Sequence, residues 1–144
     1  MFSEINMESV ACLIEEKHQL QQRVALLEYW VESLINNNSL IEFCHANEIK
    51  NVAIYSYGKY GKLLEKMLMD TDITLKYVID RNKNELKSVI PMYSLNDELP
   101  CVDAVIIATI GIDINEVTNI VRGSDFETKV FSVLDIFQCQ NVLN

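Results

Sequence analysis

The residues of this 144-residue chain best suited to chemistry are two glycines, two basic residues and an acid set at a fixed interval. The run Ser56-Tyr57-Gly58-Lys59-Tyr60-Gly61 closes an apolar segment and opens a helical one. Amides at a glycine turn and helix N-terminus point outward with partial positive charge, and so attract a phosphate. Asp80 follows Gly61 at about the 20-residue interval at which an acid meets a ribose hydroxyl beside such a turn. Lys59 and Arg81 add full positive charge, and Thr109 and Gly111 close the next long apolar run, where they line the same crevice. The candidate binding set is therefore Ser56, Tyr57, Gly58, Lys59, Tyr60, Gly61, Asp80, Arg81, Thr109 and Gly111.

Bond-making equipment is harder to find. Tyr55 and Lys59 have the Tyr-x-x-x-Lys spacing of short-chain dehydrogenases, but there both side chains rise from one helix face, and here they span a strand end and a turn. His18 falls in a heptad helix and His45 in a short packing helix, so neither is set beside a nucleophile with an orienting acid. Adjacent Cys44 and His45 point to different sides of a helix and read as core packing. Cys12, Cys44, Cys101 and Cys139 contain no Cys-x-x-Cys pair, which predicts reduced, mostly buried thiols rather than a zinc site or disulfide framework. Asp103 and Asp113 can line a crevice, although strand termination and helix capping explain them adequately. The catalytic residues stay unassigned, and the balance leans away from an enzyme.

The elements that would position the binding set alternate. Val52–Tyr55 is an apolar strand, followed by a helix over about Tyr60–Met69 with Leu63, Leu64, Met67 and Leu68 at helical spacing. Leu75–Asp80 is a second strand, and Val89–Tyr93 a third, marked by Pro91 as irregular or near an edge. Ser94–Asp97 has the form of a capping box opening a brief helix. Asp103–Ile110 is the strongest strand, an almost continuous apolar run of the kind buried on both faces of a parallel sheet. Asp113–Glu116 caps a further helix that Gly123 would close at C′. Lys129–Leu134 is a fifth strand, with a terminal helix over Asp135–Leu143. Such alternation predicts an α/β fold with helices on both faces of a parallel sheet in the order 3-2-1-4-5.

Before these elements, Met7–Ile35 lacks proline and glycine, and Leu13, Leu20, Leu27 and Leu34 recur every seven residues. Val10, Lys17, Val24 and Val31 fall between them as the a positions of a heptad whose d positions are the leucines. Val at a with Leu at d favours two parallel strands, and Lys17 would help set register at some loss of stability. Arg23 at g and Glu28 at the following e can pair across a parallel homodimer. From Val10 to Ile35 the helix would run roughly 39 Å. Ile14, Leu26, Trp30 and Ile35 widen the apolar face, so a single helix packed on its own domain is the competing reading. A mixture is also consistent, with the seam facing a partner and the residues near Trp30 touching the domain. The chain divides on this basis into a heptad helix, 1–37, and a domain, 38–144, with Ser39 capping a short helix through His45.

A formal charge of −9 argues against nucleic acid and anionic membrane surfaces, which would repel the chain. The amino end shows no basic leader with an apolar block, and no apolar run reaches the roughly 18 residues of a membrane span. A cytoplasmic protein without membrane insertion is the expectation.

The segment Asn51–Phe137, about three fifths of the chain, resembles the small Rossmann-like domains found with bacterial glycosyltransferases and sugar-modifying enzymes, including the C-terminal domain of nucleotide-sugar C-methyltransferases. Val52-Ala-Ile-Tyr55, Gly58-Lys-Tyr-Gly-Lys-Leu-Leu64, Tyr77-Val-Ile-Asp-Arg-Asn82 and Asp103-Ala-Val-Ile-Ile-Ala-Thr109 carry the likeness. It implies an accessory nucleotide- or nucleotide-sugar-binding module, working with a glycosyltransferase or sugar-modifying enzyme. The alternatives are a minimal NAD(P)-dependent oxidoreductase or sugar-nucleotide modifying subunit, and a degenerate scaffold for protein interaction. A full fingerprint would have glycine at Ser56, which serves the tight turn, and Tyr57 either narrows the pocket or stacks on a base or sugar. In the competing reading the glycines only let strand and helix pack closely, and Asp80 caps its own turn.

Overall fold

The structure, a computed structural model, describes residues 6–35, 40–82, 88–122 and 128–142, with side chains up to Phe137. Its elements run α1 (Met7–Ile35), α2 (Leu40–Ala46), β1 (Asn51–Tyr55), α3 (Lys59–Leu68), β2 (Thr74–Ile79), β3 (Met92–Tyr93), β4 (Ala104–Ile107), α4 (Ile114–Arg122), β5 (Lys129–Ser132) and α5 (Val133–Val142). The strands form one all-parallel sheet in the order 3-2-1-4-5, as the alternation predicts. This is a Rossmann-like α/β fold in the general sense.

β1 and β4 are central because their side chains can be buried on both faces. Val52, Ala53 and Ile54 of β1 and all four residues of β4 are buried. Alternation then sorts them between two cores. Val52, Ile54, Val78, Ala104 and Ile106 face the larger one with Leu26, Trp30, Leu64, Leu68, Ile136 and Phe137, so α1, α3 and α5 cover that side. Ala53, Tyr77, Ile79 and Val105 face the smaller one, closed by Leu95, Leu99 and Val121 of α4. The buried Tyr77 hydroxyl donates to the Pro100 carbonyl at 2.8 Å, so its polar end is satisfied.

Three sequence expectations need correction. The third strand is only Met92–Tyr93, with Val89 exposed and Pro91 just before it, because proline supplies no amide to a ladder. Ser94 and Asp97 share one bond of a capping box, the Ser94 amide donating to Asp97 Oδ2 at 2.8 Å, and one turn bond, the Asp97 amide donating to the Ser94 backbone carbonyl at 3.1 Å, and they close a turn with no helix following. The thiols are not mostly buried: Cys44 is, while Cys12 and Cys101 are exposed. The expected caps at Ser39 and Gly123 lie outside the described residues.

α1 meets the domain along Leu26, Trp30 and Ser33, spaced four and three residues apart on one stripe. Trp30 stacks on Phe137 with ring centroids 4.7 Å apart, and its indole N–H donates to Met67 Sδ at 3.2 Å. The heptad leucines lie elsewhere on the helix and are exposed, from 44% at Leu27 to 64% at Leu13. The wide apolar face is thus split between a stripe used by the domain and a seam left uncovered.

Candidate functional site

The corner between β1 and α3 lies at the C-terminal edge of the sheet, where the winding direction reverses between β1 and β4. That is where open α/β sheets hold their ligands. Tyr55 pairs with Ile107, and the Ala108 amide donates to the Tyr55 carbonyl at 2.9 Å. Thr109 and Gly111 therefore follow β4 at the same edge as the Ser56–Gly61 turn. Gly111 has φ +76°, a left-handed conformation that favours glycine and accounts for it as a turn residue.

The turn itself is tight. Ser56 takes φ 79°, a left-handed conformation without glycine's freedom, where a full fingerprint would have glycine. Its amide donates to the Ile79 carbonyl at 2.7 Å, fixing β1 to β2 as the chain leaves the sheet. Gly61 is required by packing: a Cβ there would lie 2.3 Å from the Ser56 carbonyl oxygen. Gly58 is different. It caps α3 with φ −87°, offers no side-chain cap, and a Cβ on it would meet nothing within 4 Å. Packing requires Gly61 but not Gly58, an exposed N-cap beside Lys59 that, among the described residues, carries no side-chain cap.

Asp80 is brought to this turn. Its Oδ2 accepts from the Tyr57 amide at 2.8 Å and its Oδ1 from the Asn82 amide at 2.8 Å. Each oxygen holds a backbone amide, so Asp80 clamps the turn after β1 to the turn after β2. A carboxylate retains further lone pairs for a ligand hydroxyl. Arg81 beside it is exposed.

The two tyrosines turn inward. Tyr57 is buried, its hydroxyl donates to the Glu65 carboxylate, and Lys62 Nζ stands 5.6 Å from its ring centroid. Burial, then the Glu65 hydrogen bond and charge, push its hydroxyl above the ordinary phenol range, with a Ser88 hydrogen bond acting the other way. Its ring is packed against α3 rather than presented to a base or sugar. Tyr60 leans toward Trp30 at 6.3 Å between centroids, which ties the first turn of α3 to α1. Nothing in the sequence spacing announces Glu65, Lys62 or Ser88 as neighbours of Tyr57.

The other candidate groups lie away from the corner. Asp103 sits at the opposite edge of the sheet: its Oδ2 accepts from the Lys50 and Asn51 amides at 2.8 and 3.2 Å, while its own amide donates to Asn51 Oδ1 at 2.8 Å. It locks the start of β4 to the start of β1, and a cavity of about 360 Å³ opens beside it, lined in part by Lys76 and Lys129. Asp113 Oδ1 accepts from the Asn115 amide at 2.9 Å and so caps α4. Cys44 and His45 do diverge, but only Cys44 packs in the core, so the core-packing expectation fails for His45. Cys44 is buried, and burial with the nearby Asp72 charge raises its thiol to about 11, whereas His45 is exposed and pairs with Asp72 at 2.8 Å. Among the described residues no three His, Cys, Asp or Glu side chains are arranged to hold a metal ion. None of their helices is long and apolar enough to cross a membrane.

Comparison with protein-family models, with curated proteins and with solved structures found no match.

Proposed function

We propose that this chain is an accessory module that receives the phosphate of a nucleotide or nucleotide-sugar at the β1–α3 corner and acts as a homodimer joined through α1. Gly58 is the observation that carries the binding reading. It is an exposed glycine that neither packing nor backbone conformation demands, at the helix N-terminus on the edge where such folds bind ligands. Lys59 adds charge at the same mouth, Arg81 stands beside Asp80, and Asp80 keeps lone pairs to spare. The inward turn of Tyr57 leaves no aromatic platform from that residue, which favours recognition through phosphate rather than through a base. The association with sugar transfer or polysaccharide assembly rests on the sequence resemblance.

The uncovered seam of α1 supports the dimer, because exposed leucines and valines at a and d positions gain most by burial against a second helix.

Thermal-shift measurements with NAD, NADP, UDP-sugars and CDP-sugars test the reading, since a ligand of the folded state raises its apparent stability. One of these classes should raise Tm, and Gly58→Val should abolish that rise, read against the variant's own unliganded Tm. A ligand effect that survives Gly58→Val would place the site elsewhere. No effect with any of the four would make the corner purely structural.

A further inference from the structure

The seam of α1 carries a hollow of about 360 Å³ lined by Lys17, Leu20, Gln21, Val24, Ala25 and Glu28. In heptad positions the first four are a, d, e and the next a. Those four residues form the hole that accepts a d-position knob from a parallel helix in register. We infer that this hollow seats Leu20 of a second copy, in a parallel, in-register pair of α1 helices. This inference rests on the self-association proposed above and adds the seating of Leu20 in the hollow and the in-register alignment that it fixes.

The domain does not occupy that place. Its stripe on α1, Leu26, Trp30 and Ser33, falls on the c and g positions, centred about 110° round the helix from the a/d seam at 100° per residue. A partner helix over the seam and the domain on its flank can therefore coexist. The seam residues Leu13, Leu20, Val24, Leu27, Val31 and Leu34 are all exposed, so the hollow is one step of an apolar track that Lys17 interrupts.

Charge decides the direction. In the parallel pair, g of one helix lies beside the following e of the other, which sets Arg23 against Glu28 twice, once on each flank. Glu28 lines the hollow itself, so the partner's arginine would close the rim beside the inserted leucine. The antiparallel alignment that matches every a with a d sets Val24 against Leu20 and brings Arg23 against Arg23. Lys17 finds an acid either way, Glu16 of the second copy in the parallel pair and Glu28 in the antiparallel one, so Arg23 is the discriminating residue. A parallel pair carries both domains to one end of the coil, each fixed to its own helix by Leu26 and Trp30. The dimer then presents two β1–α3 corners from the same end, as a bivalent module.

The test uses the full chain under mild oxidation, with disulfides mapped by peptide mass. Leu20→Cys alone should give a 20-to-20 bridge in a chain that sediments as a dimer, and Leu20→Cys mixed with Val24→Cys should give no preference for a 20-to-24 bridge. Arg23→Glu should weaken dimerisation about tenfold, and Arg23→Glu with Glu28→Arg should restore it. A dimer that forms only the 20-to-24 bridge, or that is indifferent to Arg23→Glu, overturns the parallel register while leaving self-association intact. A wild-type chain that sediments as a monomer at all concentrations tested overturns both.

Discussion

Gly61→Ala should destabilise the protein by about 2 kcal/mol, while Gly58→Ala on the same helix should be near neutral. A methyl at position 61 would stand 2.3 Å from the Ser56 carbonyl oxygen, 3.3 Å from its carbon and 3.4 Å from Ile54 Cγ2. Comfortable carbon–oxygen contact needs about 3.3 Å, so helix and turn must separate by about 1 Å. The turn is poorly placed to yield, because the Ser56 amide is held by Ile79 and the Tyr57 amide by Asp80. α3 must move instead, and it carries the buried Leu64 and Leu68 with it. Overpacking of this kind costs about 1–3 kcal/mol, with alanine's better helix propensity returning at most about 1 kcal/mol. We take the upper part of the range because the obstacle is backbone. The loss corresponds to a fall in Tm of about 6 °C for a chain of this size. At position 58 the added methyl meets nothing and φ is −87°, so the change should stay within about 0.5 kcal/mol. Urea unfolding followed by circular dichroism at one fixed protein concentration measures both. A Gly61→Ala protein within 0.5 kcal/mol of wild type, or a Gly58→Ala protein equally weakened, would refute the assignment of one glycine to packing and the other to open space.

Four further outcomes are expected. Ser56→Gly should stabilise the fold by up to about 1 kcal/mol, since relief of the left-handed strain at φ 79° exceeds the added freedom of the unfolded chain; a lower urea midpoint would contradict it. Asp80→Ala should lower stability by about 1–2 kcal/mol even without ligand, because the Tyr57 and Asn82 amides lose their acceptor; an unchanged midpoint would show that the clamp contributes nothing. Trp30→Ala should cost about 3–4 kcal/mol by removing the stack on Phe137 and the contact with Met67, and native-state hydrogen exchange should show faster exchange of α1 backbone amides; exchange as slow as in wild type would refute the role of Trp30 as anchor. Cys44 should resist alkylation in the native state at pH 8 while Cys12 reacts. Because folding raises the Cys44 thiol to about 11, the unfolded chain gives up that proton first, so stability should fall as pH rises from the ordinary thiol range through 11; a rise over that interval in urea titrations would contradict the sign.

The fold was legible because its strongest signals are local and cumulative. β1 and β4 read as buried strands from unbroken apolar runs, and the order of the sheet follows from alternation with parallel crossovers. Where one residue overrides a run, the reading drifts. Val89 and Ile90 looked like the start of a strand, yet Pro91 delays pairing until Met92. Ser94 and Asp97 hold each other's amides in a closed turn, with no helix after it. α1 was legible in extent but ambiguous in use, since Leu26 and Trp30 add to the same apolar total as the heptad leucines. Only the placement of the domain shows which stripe it uses, the one carrying Leu26 and Trp30, and which it leaves uncovered.

The corner shows a deeper limit of spacing arguments. An acid at the end of β2 lies next to the turn after β1 in any sheet of this order, so its interval from the glycines reports adjacency before it reports recognition. Here the adjacency has a structural use. Asp80 holds the amide of Tyr57 in the turn that Ser56 strains, supplying from the side what glycine at position 56 would have supplied through backbone freedom. The missing first glycine and the engaged acid are thus two sides of one solution. It follows that Gly61 and Asp80, the residues most like a fingerprint, are the ones the fold already accounts for. The claim of a ligand rests on Gly58 and its exposed helix mouth, which no packing contact requires.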